Sequence, residues 1–189
     1  MNTLLIIIGV VVAAIFILYV TIIMRRNSYK EALSNVDVQL RKRYDLIPNI
    51  LTIARRFMQQ ETSIMNDITT LRTQAGKTFN QNVPVEVQEH FSNAEKLSSK
   101  LGQFVVTMEA YPDLKSNQTM IEAMQSLNEV EAQIAAARRF YNSSVTRLNN
   151  IVQIFPGNVI ARLIGVESMP FYQSVEKIDD NIDAKQYLG

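Results

Sequence analysis

The sequence predicts an all-α protein. It reads as an N-terminal transmembrane helix followed by an elongated antiparallel helical bundle of about four long helices. Three observations carry this. The first is an uncharged run from Leu4 to Met24, LLIIIGVVVAAIFILYVTIIM. The second is the recurrence of apolar residues at spacings of three and four from Leu33 to Phe155, with no sustained alternation of period two. The third is sparse punctuation: six glycines and five prolines in 189 residues are too few for a sheet protein with many tight turns.

The apolar run comes first in the chain. As a helix it spans roughly 31 Å, which matches a bilayer hydrocarbon core of about 30 Å. No Lys or Arg precedes it, and TIIMRR (residues 21–26) is a poor cleavage site, so an uncleaved signal anchor is expected over residues 1–26. A core helix of a soluble protein would be shorter and apolar on one side only. Arg25, Arg26 and Lys30 follow the span, and Tyr19 sits near the same end as an interfacial aromatic. The positive-inside rule then puts the N-terminus outside and the C-terminal domain in the cytoplasm of a bacterial inner membrane.

Residues 27–165 read as the bundle domain. Leu33, Val36, Leu40 and Tyr44 continue the helix out of the membrane, since no Pro or Gly intervenes. A second helix is expected through Ile47, Leu51, Ala54, Met58, Glu61, Met65, Ile68, Arg72 and Ala75, ending in the loop GKTFNQNVP (76–84). A third runs from Val85 through Phe91, Leu97 and Phe104 to Tyr111, where Pro112 stops it. The longest is the fourth, from Met120 through Leu127, Glu131, Ile134, Arg138 and Tyr141 to Phe155, ended by Pro156-Gly157. A short helix over 158–164 follows. Residues 166–189 read as an acidic, mobile tail, with Glu167, Glu176, Asp179, Asp180 and Asp183 against two lysines.

Composition removes several kinds of chemistry. The chain has no Cys, so disulfides, thiolate catalysis and Cys-based metal sites are excluded. Its formal net charge is +1, which gives no reason to expect nucleic acid as a partner. His90 is the only histidine, so a two-His metal site is excluded and a Ser-His-Asp triad disfavoured; a solvent-facing position on an amphipathic helix is expected for it. Gly76-Lys77-Thr78 resembles the end of a phosphate loop, but Leu71 stands where that loop needs Gly and a helix precedes it. Neither a cofactor nor a catalytic or metal-binding residue is expected.

The remaining polar signals are arginine clusters and the stretch RKRYDLIPNI, Arg41 to Ile50. Arg41 lies roughly 25 Å beyond Met24 along a continuous helix, too far to feel the leaflet across a Debye length of about 8 Å. Asp37 and Arg41 can pair across one turn. Asp45 can cap a new helix whose first turn holds Pro48, which makes this stretch a helix–turn–helix corner. Arg41, Arg43, Tyr44, Asp45, Pro48, Asn49, Arg138 and Arg139 are therefore the candidates for a corner or an interaction surface.

Asp37 to Ile50, DVQLRKRYDLIPNI, resembles the DVQLxxRxDLIPNL signature of the bacterial LemA family. AYPDLKSN (110–117), IAAARRFYN (134–142), NNIVQIFPGNVIARLI (149–164) and Phe171-Tyr172 after Pro170 resemble further motifs of that family, in the same order. The resemblance implies an all-α, membrane-anchored bacterial protein with no accepted enzymatic activity, and it assigns no active site. Two non-enzymatic functions are then expected. One is a scaffold that contacts lipid through residues 4–24, self-associates into a homo-oligomer and organises or remodels the membrane. The other is an adaptor that presents a helical surface to a protein partner yet to be identified.

Overall fold

The computed structural model describes residues 2–173. Helix α1 runs from Asn2 to Ala54, α2 from Thr62 to Ala75, α3 from Pro84 to Met108, α4 from Pro112 to Lys115, α5 from Gln118 to Gln153 and α6 from Gly157 to Leu163. No strand occurs among the described residues. Facing residues set the directions. Tyr29 meets Tyr141, and Arg43 meets Glu131, so α1 and α5 are antiparallel. Asp37 meets His90, and Arg43 meets Ser98, so α1 and α3 are parallel. Tyr111 meets Glu61, and Lys100 meets Asp67, so α2 and α3 are antiparallel. The result is an up-down-up-down bundle of α1, α2, α3 and α5.

The anchor and the first bundle helix are one helix. At 1.5 Å per residue, α1 is roughly 80 Å long. Its apolar N-terminal part is exposed, with Leu4 at 61% and Ile17 at 63%. Burial begins only at Ile22, then continues through Tyr29, Ala32, Leu33, Val36, Leu40, Ile47 and Ile50. This is the one helix among the described residues that is long and apolar enough to cross a membrane.

Two expected boundaries move. The predicted corner at Asp45–Pro48 does not exist: Pro48 lies inside α1, and Asp45 is an exposed mid-helix residue rather than a cap. A proline in a helix interior costs about 3 kcal/mol. Beyond it, Ile50, Leu51, Ile53 and Ala54 stay on the buried stripe, and each large aliphatic is worth about 1.5–3 kcal/mol buried. Packing thus outweighs the local breaker. The chain reverses instead at residues 55–61, inside the run expected to be one helix from 47 to 75. No Gly or Pro marks that place. The turn forms because Met58, 0% exposed, plugs the far end of the bundle, with its N–H donated to the Ala54 carbonyl.

The other ends follow their punctuation. Pro84 occupies the first turn of α3. The Asn117 side chain caps α5 by accepting from the Met120 N–H at 3.1 Å. Pro156 terminates α5, and Gly157 is required after it, since a Cβ there would collide with the Ile151 carbonyl.

The bundle also extends past residue 165. Val166, Met169 and Tyr172 are buried, so the first part of the segment expected to be a tail belongs to the core. Two asparagines on α5 dock it. Asn149 donates to the Met169 carbonyl at 2.9 Å and accepts from its N–H at 2.8 Å. Asn142 does the same for Tyr172, at 3.0 and 2.9 Å. Each amide serves both the N–H and the carbonyl of one residue of the docked segment, satisfying backbone groups that would otherwise be orphaned. The expected mobile tail from residue 174 onward lies outside the described residues.

Candidate functional site

The polar centre of the bundle is built around Arg43. It sits on the apolar stripe of α1, three residues after Leu40 and four before Ile47, and is 1% exposed. One guanidinium nitrogen donates to Ser98 Oγ at 3.0 Å and to Glu131 Oε1 at 3.2 Å. The other donates to the Ala94 carbonyl at 3.0 Å. The cation also lies 5.5 Å from the Tyr44 ring. One buried charge therefore ties α1 to α3 and α5. Both terminal nitrogens are met while the buried Nε has no partner, and removing a partner from a buried pair is costly.

Arg41 and Lys42, its neighbours in the basic cluster, face outward. Arg41 is 66% exposed in its side chain and pairs with Asp37 at 2.9 Å, as the four-residue spacing predicts. The second cluster divides the same way. Arg138 pairs with Glu95 at 2.8 Å and lies over the Tyr172 ring at 4.4 Å, whereas Arg139 is exposed. Tyr172 in turn stacks on Phe91 at 4.2 Å. Neither pair of arginines is a patch; helical phase sends one member of each inward.

Pro48 has a structural counterpart that the sequence reading missed. Lacking an N–H, Pro48 leaves the carbonyl of Tyr44 without its helical partner. Arg72 of α2 supplies one: its Nε donates to that carbonyl at 2.6 Å. Arg41, Tyr44, Asp45, Arg72, Thr73 and Gly76 line an open cleft of about 460 Å³ at this joint. Asn49, beside it in sequence, is exposed.

His90 is not solvent-facing. It is 5% exposed, stacks on Phe79 at 4.1 Å and holds Nε2 3.7 Å from Asp37 Oδ1. Burial pushes its pKa below the ordinary histidine value; the Asp37 carboxylate opposes this without overcoming it, and Arg41 adds to the lowering. A cleft of about 270 Å³ opens beside it, bordered by Lys77, Glu86, Glu89 and Asn93. Among the described residues, no group of three His, Cys, Asp or Glu side chains is placed to hold a metal ion.

At the membrane end, Tyr19 and Arg25 are exposed, while Lys30 is half-buried. Arg26 is partly committed to the bundle, donating to Asn82 Oδ1 at 2.9 Å. Tyr29 donates to the Gln81 carbonyl at 3.0 Å, and burial raises its pKa to about 12. The loop at residues 80–82 thus returns to the foot of α1.

The residues missed in sequence, Glu61, Arg72 and Glu131, had a visible signal. Like the candidate Arg138, they interrupt apolar rows of period three and four. Each has a partner across the bundle: Tyr111, the Tyr44 carbonyl, Arg43 and Glu95.

The model of the LemA family matches residues 32–184. The magnetosome proteins MamQ 1 and MamQ 2 of Paramagnetospirillum magneticum are each 25% identical over 182 residues, covering 86% of this chain and 67% of theirs. The magnetosome protein MamQ of Magnetospirillum gryphiswaldense is 24% identical over 179 residues, covering 80% of this chain and 66% of its own.

Proposed function

The chain belongs to the LemA family, and from that premise we propose that it is a non-enzymatic membrane-anchored scaffold that self-associates through its long helices and organises the membrane around it. The observation that carries this reading is the continuity of α1. One helix leads from the exposed apolar segment into the core of the bundle with no linker between them. A rigid joint of this kind transmits the position and tilt of each anchor to the bundle, and contacts between bundles back to the lipid. The polar groups of the core support the same reading. Arg43, Arg138 and Arg72 are engaged in holding helices together rather than converging on a space for substrate. The MamQ relatives are named for a magnetosome, which is compatible with work at a membrane. Arg25, Arg26 and Lys30 favour the orientation with the N-terminus outside and the bundle in the cytoplasm of a bacterial inner membrane.

Native mass spectrometry of the full chain in detergent tests the scaffold. Defined oligomers at micromolar concentration are expected; monomer alone overturns the reading.

A second reading, an adaptor for another protein, is favoured by the cleft bordered by Arg41, Asp45 and Arg72. Charge reversal at the exposed Arg41 and Lys42 then abolishes crosslinking to that partner and leaves the oligomeric state unchanged. Recovery of only the protein itself in cellular crosslinks eliminates the adaptor.

A further inference from the structure

The end of the bundle nearest the apolar segment carries an unusual surface. Ile154 is 63% exposed, Phe155 77%, Val159 52% and Leu163 81%. All four belong to the α5–α6 connection or to α6. Soluble surfaces scatter single apolar residues, but a contiguous group at one corner calls for a covering.

The position of this corner says what covers it. Leu18, Thr21 and Arg25 of α1 share a groove of about 400 Å³ with Arg147, Ile154 and Phe155. Leu18 lies six residues before Met24, so the groove reaches about 9 Å into the uncharged run. Ile22, within that run, is already 0% exposed. The end of the bundle therefore overlaps the last turns of the apolar segment instead of stopping short of it. If residues 4–24 cross a bilayer, Phe155 and Ile154 lie at the depth of acyl chains and glycerol. Arg25 and Arg147 lie at the same mouth, both exposed, and neither makes an ion pair among the described residues. Two cations above an apolar slot match the two halves of an anionic phospholipid. A zwitterionic lipid offers the same chain but no net charge for the arginines.

We propose that the groove between α1 at Leu18–Arg25 and the α5–α6 turn seats an anionic phospholipid, its phosphate between Arg25 and Arg147 and an acyl chain against Leu18, Ile154 and Phe155. Val159 and Leu163 of α6 rest on the same leaflet beside it. The lipid joins the anchor to the last bundle helix, which makes the fold sensitive to lipid composition. This inference rests on the reading of residues 4–24 as a membrane span.

The chain contains no Trp, so Phe155→Trp creates a single reporter in the full-length protein. Phe140→Trp, 53% exposed midway along α5, is the control. Each is reconstituted into vesicles of phosphatidylcholine with a minor fraction of phosphatidylglycerol, and one of the two lipids carries brominated chains. Quenching at position 155 by brominated phosphatidylglycerol in excess of its mole fraction is expected, with none at position 140. Replacing Arg25 and Arg147 by Gln should weaken that preference about fivefold for each arginine removed. Arg25→Lys with Arg147→Lys should retain most of it. Equal quenching by both lipids, no quenching, or a preference unchanged by the Gln variants overturns the lipid site. Native mass spectrometry of the unmodified protein from mixed micelles is independent of any variant's folding. Retention of phosphatidylglycerol over phosphatidylcholine supports the site, and equal retention overturns it. Flotation separates the two levels: protein that fails to float with vesicles overturns the anchor and the groove together, whereas protein that floats without selective quenching overturns the groove alone.

Discussion

Arg72 donates its Nε–H to the backbone carbonyl of Tyr44 at 2.6 Å, the one carbonyl in that turn of α1 that the proline ring four residues on cannot serve. A side chain from α2 thus completes the hydrogen bonding of α1. The DLIPN motif and Arg72 form one device, although 28 residues separate Arg72 from Tyr44.

This relationship sets up a double-mutant cycle. Arg72→Ala alone leaves the carbonyl without its partner and should cost about 1–3 kcal/mol. In a Pro48→Ala background residue 48 regains its N–H, so the same Arg72→Ala substitution should cost clearly less. Thermal melts of the four proteins, followed by circular dichroism in detergent, measure the coupling. Additive losses would show that the proline and the arginine are independent.

Asp45 and Asn49 are exposed positions in the interior of a helix. Asp45→Ala and Asn49→Ala should each change stability by no more than about 0.5 kcal/mol. A cap at Asp45 predicts a loss of about 1 kcal/mol instead, so the same melts decide between a corner and a continuous helix.

Arg43 should be the most sensitive polar residue of the bundle. Arg43→Ala removes a fully buried side chain and its bonds to Ser98, Glu131 and Ala94, at a cost of about 3–5 kcal/mol. Glu131→Gln should cost about 1 kcal/mol or less, because the Glu131 side chain is 38% exposed and the amide oxygen still accepts. Comparable losses for the two variants would contradict the assignment of Arg43 as the anchor of the network.

His90 makes stability depend on pH. Its folded pKa lies below the unfolded value of about 6.5, chiefly through burial. Between those two values the unfolded chain binds more protons, so the stabilisation from neutral His90 is complete above about pH 6.5 and declines as pH falls through that value. His90→Gln should flatten the change in melting temperature between about pH 7.5 and pH 5. A slope identical to that of the parent protein would sink this account.

The segment after Gly165 should behave as core. Asn142→Ala and Asn149→Ala each break two hydrogen bonds to the backbone of the docked segment, and each should cost about 1–3 kcal/mol. A chain ending at Gly165 also loses Tyr172 from its place between Phe91 and Arg138, so it should melt lower than either point variant. A truncated chain that melts like the full one would return residues 166–172 to the status of a tail.

Sequence periodicity and its Pro and Gly punctuation were enough for the class of fold, the apolar helix at the N-terminus, the approximate ends of α3 and α5 and the Asp37–Arg41 pair. All of these rest on interactions within a few residues, where helical geometry makes spacing equivalent to position. What required the tertiary structure is where local signals compete with packing. Pro48 reads as a break and is not one, because the apolar stripe beyond it is buried and Arg72 replaces the lost donor. Residues 55–61 read as helix and reverse, because Met58 closes the end of the core. Arg43 and His90 are buried and Arg138 half-buried, because Glu131 and Ala94 at Arg43, Asp37 at His90 and Glu95 at Arg138 lie 40 or more positions away, on helices that meet only when the bundle forms. The polar interruptions at Glu61, Arg72, Glu131 and Arg138 could be seen in the sequence as exceptions. Only the assembled bundle pairs them, because these half-buried polar groups find their partners on other helices.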